Sequence, residues 1–170
     1  MFGTLMLTSV LAGLVATAVM VVFLYLPLLW RGMHYDALGA IGSLFTGSVE
    51  GRTYLIGGIV LAVGGIAFAV PYGAAALMFL QGAGAFQAPA YEILPNLPAT
   101  IDLFYPLIGL VGGFGHGIFL SLIATFVITD LHPLPAYREP FPLIASWIIG
   151  HTVYGVVVTF FQHQLLQGLV

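Results

Sequence analysis

Two histidines lie inside apolar segments of this chain, where an ionisable side chain is expensive to keep and therefore informative. His116 stands in Gly115-His116-Gly117, with Gly112 and Gly113 one turn back; His151 stands in Gly150-His151-Thr152-Val153-Tyr154-Gly155. An imidazole can donate or accept a hydrogen bond, ligate a metal or carry a proton. Three readings follow for a pair held in lipid. The rings can be structural, each bonding to a neighbouring helix with Thr152 or Tyr154 completing the network. They can be axial ligands of a b-type haem, the glycines opening room for the macrocycle. Or, with Tyr154, they can contact a quinone or a small permeating solute. No Arg or Lys stands near either histidine to hold haem propionates, so the residues themselves call for no cofactor.

Other chemistry lacks its residues. Asp36, Glu50, Glu92, Asp102, Asp130 and Glu139 all fall in loops or at helix ends, so no carboxylate sits mid-span to relay protons or couple cations. No nucleophile–base pair, phosphate loop or carboxylate dyad can be assembled, and the chain is not expected to be an enzyme by itself. His163, with Gln162 and Gln164, reads as an interfacial polar cluster at the end of the last helix. His34 and His132 fall in loops, where solvated roles are expected.

The elements that carry these residues are set by lipid. Four stretches, 1–30, 53–91, 103–129 and 140–170, contain no Asp, Glu, Lys or Arg, and each exceeds the roughly 20 apolar residues a spanning helix needs. Of 170 residues 61% are hydrophobic and 5% charged, with a mean hydropathy of +1.11; a soluble domain carries about a quarter of its residues as charges. Apolarity continuing to Trp30 with no basic residue ahead of it reads as an uncleaved first span, not a leader. Three cations, all arginine, cannot build a phosphate-neutralising surface, which excludes nucleic acid as a partner. With no cysteine, disulfides, thiolate metal sites and c-type haem attachment are excluded.

The expected fold is all-α: one domain, 1–170, of four transmembrane helices at about 4–29, 54–80, 103–129 and 142–167. At 1.5 Å per residue, His116 lies about 20 Å below one membrane edge and His151 about 14 Å above the other. In a core about 30 Å thick these depths nearly coincide, so the rings can face each other. Arg31, Arg52 and Arg138 share one side, which the positive-inside rule places in the cytoplasm with both termini outside. In the first loop, Asp36 can cap a short helix whose Leu38, Ile41, Leu44 and Phe45 share a face, suited to lying at that interface. The second loop, 81–100, carries Phe86, Tyr91, Ile93 and Leu94 among prolines, and suits lipid headgroups or another subunit. Tyr25, Trp30, Tyr54, Tyr105 and Trp147 read as an interfacial aromatic belt.

Packing in lipid depends on close backbone approach. Gly109, Gly113 and Gly117 form two successive G-x-x-x-G steps. Gly58, Ala62, Gly65, Ala69 and Gly73 stripe the second span, while Ala12 and Ala16, beside Gly13 and Thr17, stripe the first. The segment starting at Gly13 also overlays the one starting at Gly109, with five identities in twelve, as two duplicated helical hairpins would.

The run Gly13-Leu-Val-Ala-Thr-Ala-Val-Met20, together with His151-x-x-Tyr154-Gly155, resembles a family of small four-helix prokaryotic membrane proteins. Some of its members look like companions of haem–copper oxidase subunits. That resemblance implies a multi-pass protein of the prokaryotic inner membrane, embedded in the lipid bilayer beside other integral membrane subunits. The expected role is a non-catalytic accessory subunit of a respiratory or other electron-transfer complex. A haem- or quinone-binding subunit using His116 and His151 is the alternative, and a small channel or transporter the third.

Overall fold

A computed structural model describes residues 2–26, 35–82 and 104–167. Expectations for the second loop, Arg31, His34 and Trp30 lie outside these residues. Five α-helices account for nearly all of the described chain: α1 (Phe2–Tyr25), α2 (Ala37–Thr46), α3 (Gly51–Gly82), α4 (Phe104–Ala124) and α5 (Pro140–Gln167). A π-helical turn, Thr125–Asp130, extends α4, and a 3-10 turn, Pro135–Tyr137, precedes α5. Four helices are long and apolar enough to cross a membrane, with spans of 23, 25, 27 and 27 residues. Their large apolar side chains point outward, Val22, Val63, Val111 and Phe119 each being more than 60% exposed, as helices solvated by lipid tails require.

The interior is instead lined by small residues. α5 packs against α1, α3 and α4, and α1 also packs on α3. A Cβ added at Gly109 would meet the Gly155 carbonyl and Thr159 Oγ1; one added at Gly117 would come within 2.8 Å of Ile148 Cα. Gly113 lies against the carbonyl of His151 and the backbone of Thr152. Across α1 and α3, a Cβ at Gly13 would lie 2.8 Å from the Gly65 carbonyl and 3.1 Å from Ala69 Cβ. Gly73 abuts the Gln162 amide, and Ala69 is fully buried. The two hairpins therefore use one contact twice: Gly13 sits on Gly65 and Ala69 as Gly109 sits on Gly155 and Thr159, four residues apart in each case.

α2 is the short helix expected in the first loop. Asp36 caps it, accepting the Gly39 N–H at 3.0 Å, and Gly47 ends it at φ 67°, its N–H on the Ser43 carbonyl at 2.9 Å. The side turned inward carries Ala37, Ala40, Ile41 and Ser43, whereas Phe45 is 68% exposed. A Cβ at Gly42 would run into the Thr53 carbonyl, and one on Gly57 of α3 into the Leu38 carbonyl. Its backbone thus lies in close approach to that of α3. It is also tied to the turn before α5, so the loops at residues 35–50 and 131–139 share one end of the bundle.

Candidate functional site

His116 on α4 and His151 on α5 meet inside the bundle, their ring centroids 4.9 Å apart and edge to face. The glycine seam makes this possible, because Gly113 and Gly117 flank His116 and let α5 approach within side-chain reach. Phe68 of α3 lies on the other side of His116 at 4.3 Å, and Trp147 stacks on His151 at 5.1 Å with ring planes 19° apart. Four rings thus run across three helices in the order Phe68, His116, His151, Trp147.

Hydrogen bonding settles which nitrogen of His151 carries the proton. His151 Nδ1 lies 2.8 Å from the Trp147 carbonyl, which can only accept, so Nδ1 donates and Nε2 is left as an unprotonated acceptor. Nothing among the described residues bonds to that Nε2. His116 Nδ1 has a long contact, 3.5 Å, to the Tyr72 hydroxyl. Either partner can donate in that contact, depending on the His116 tautomer. His116 Nε2 and Trp147 Nε1 are both enclosed by protein atoms without a hydrogen-bond partner among the described residues. The Tyr154 hydroxyl is committed, donating to the Gly65 carbonyl across the α5–α3 contact.

Beside the rings lies a cavity of about 300 Å³, walled by residues of α1, α2, α3, α4, the π-helical turn and α5. His116, Trp147, His151 and Tyr154 are its polar lining; the rest is apolar or glycine. Phe45, Val60, Phe68, Ile123 and Val127 line it and are also exposed on the outside of the bundle. The cavity therefore opens to the outside of the bundle past these side chains. α2 closes its lower side with Ile41 and Leu44, and the π-helical turn brings in Val127 and Ile128.

The two imidazoles do not fit a b-type haem held between them. Their rings are in contact, leaving no gap for a tetrapyrrole, and no cationic side chain lines the cavity to receive propionates. A volume near 300 Å³ stands at the small end of ligand pockets.

Further polar residues are more deeply engaged than the sequence reading had them. Asp36 accepts from three tyrosines as well as from Gly39: Tyr25 on Oδ1, Tyr54 on Oδ2 at 3.1 Å and Tyr137 on Oδ2 at 3.0 Å. Burial alone would raise its pKa, but these four hydrogen bonds together hold it below the usual carboxylate range. Burial, then the bond to Asp36, raises the Tyr137 phenol. His132, expected to be solvated, is fully buried; its Nε2 donates to the Ala40 carbonyl at 2.9 Å and its Nδ1 accepts the Leu134 N–H at 3.0 Å. Gln162 is likewise fully buried, not interfacial, and its amide donates to Ser9 Oγ and the Ala69 carbonyl, both at 2.9 Å. His163 beside it is 2% exposed and stacks on Tyr105, with centroids 3.8 Å apart. Tyrosines at helix ends resemble an aromatic belt until the carboxylate they share is in view.

No family model, curated protein or solved structure matches this chain. Function has to be read from the cavity and its polar atoms.

Proposed function

We propose that the protein is a non-catalytic membrane subunit that holds a lipid-soluble molecule in its flank cavity, as one member of a larger membrane assembly of the electron-transfer type. The cavity carries this reading. It is apolar, opens on the flank of the bundle and lies against a contacting pair of histidines within the apolar helices. Bundles place ligand sites between their helices in this manner. The assembly half of the reading is supported by the lack, among the described residues, of any nucleophile–base or carboxylate pair. In a prokaryotic plasma membrane, the arginine bias assigns α2 and the 131–139 turn to the cytoplasm.

Gly64 supplies the test. It lines the cavity, and a Cβ there meets nothing within 4 Å. Gly64→Leu therefore starts from an unobstructed Cβ, projects bulk at the cavity wall and improves helix propensity by up to about 1 kcal/mol. Mass spectrometry of gently purified protein should find a lipid-soluble molecule in the parent that Gly64→Leu has lost, with no fall in melting temperature. Native electrophoresis of the same extract should place the chain well above its own 18.0 kDa, with other polypeptides. Equal content in parent and variant would remove the cavity, and recovery only as a partner-free monomer would remove the assembly.

A further inference from the structure

We infer that the flank cavity selects a neutral, ring-shaped, lipid-soluble molecule bearing a hydroxyl group, which donates its proton to Nε2 of His151. The inference rests on the cavity being a binding site and adds what that site recognises.

Three observations lead to it. The first is the polarity of the lining. Nδ1 of His151 is occupied by the Trp147 carbonyl, so Nε2 can only accept. The Tyr154 hydroxyl is spent on Gly65. Nε2 of His116 and Nε1 of Trp147 are both walled in by protein, so neither is open to a ligand. The available polar atom is thus an acceptor, and its natural complement is an O–H donor. A carbonyl-only ligand would place lone pair against lone pair. In surroundings this apolar, a group that leaves a buried acceptor unmatched is penalised far more than in water.

The second observation is size and shape. A cavity of roughly 150 Å³ lined by apolar side chains already accepts benzene, so about 300 Å³ accommodates a substituted ring and excludes a macrocycle. The stacked Trp147–His151 pair and Phe68 give it flat walls. The third is access. The exposed rim formed by Phe45, Ile123 and Val127 lets an apolar tail lie along the outside of the bundle in lipid while the ring is held inside. No charged side chain lines the cavity, so an anionic or cationic head is excluded.

One chemistry, a hydroxyl on an apolar ring system, has two sources in membranes: a phenolic head, as in a quinol, or an alicyclic alcohol, as in a sterol. The full chain in lipid nanodiscs, compared with protein-free discs, is incubated with decylhydroquinone, decylbenzoquinone and decylbenzene, and separately with cholesterol and its hydroxyl-free hydrocarbon counterpart. Retention per protein is then counted. At least one hydroxyl compound should be retained about fivefold or more above its hydroxyl-free partners, the factor expected when a buried acceptor is left unmatched. The arm that shows the preference identifies the source. His151→Phe keeps the ring and its stacking on Trp147 but removes the acceptor, and should erase the preference while hydrocarbon retention persists. Should hydroxyl and hydroxyl-free compounds be retained equally by the parent protein, the hydroxyl selection is overturned while the cavity reading stands. Should none be retained above empty discs, and Gly64→Leu behave as the parent, both fall.

Discussion

Asp36 gathers a backbone N–H and three phenols from α1, α3 and the turn before α5 onto one carboxylate. Hydrogen bonds to an ionised acceptor are about twice as strong as neutral ones. Allowing for its partial exposure, Asp36→Asn should cost about 1–2 kcal/mol of stability at neutral pH, read as a lower melting temperature in detergent. The sign of the pH dependence follows from the depressed pKa. The folded protein favours the carboxylate, so this stabilisation is complete above about pH 4 and is lost as pH falls through the lower folded value. The parent should therefore lose its advantage over Asp36→Asn on acidification below about pH 4, whereas between pH 5 and 8 the gap should stay constant. A gap that closed near pH 6 would contradict this account. Asp36 itself was legible as a helix cap, since a short acceptor before an apolar run has that local meaning. Its tyrosines were not, because Tyr137 lies 101 residues away and no local pattern pairs them.

Among the helices, α4 shows most plainly what spacing can and cannot reveal. Gly109, Gly113 and Gly117 recur every fourth residue and face α5, where an added Cβ would strike backbone. Gly115 lies in the same run, and a Cβ there would meet nothing within 4 Å. Gly109→Leu should therefore destabilise by about 1–3 kcal/mol or more through overpacking, while Gly115→Leu should be neutral or gain up to about 1 kcal/mol of helix propensity. Thermal unfolding of the two variants in one detergent checks the contrast, and equal losses would mean that the seam is not where the structure has it. The stripe on α3 was legible only in part. Gly65, Ala69 and Gly73 are in contact, but Gly58 at its start faces open space. α2 was legible as a capped helix, but its ties to Thr53 of α3 and to His132 were not, because both lie outside any local pattern.

For the whole molecule, four spans could be read from the chain because lipid leaves a backbone few alternatives to the helix. The cavity could not, since a void is defined by what fails to pack and by a π-helical turn that no periodicity announces. The shared end of the two loops gives a topology test, made simple by the absence of native cysteine. Single cysteines replacing the exposed Glu50 and Glu139 should react with an impermeant maleimide from one side of the membrane, the cytoplasmic one. A cysteine replacing the exposed Gln164 should react from the other. Labelling of Glu50→Cys and Glu139→Cys from opposite faces would break the arrangement. The tyrosine-laden carboxylate has one more consequence, for biogenesis. A ribosome delivers Tyr25, Asp36 and Tyr54 early, but Tyr137 emerges 101 residues after Asp36. The cluster therefore cannot close until α4 has been made and only α5 remains to follow. A nascent chain stalled short of that point keeps its first loop unlatched, giving quality-control proteases a handle that the finished protein withdraws.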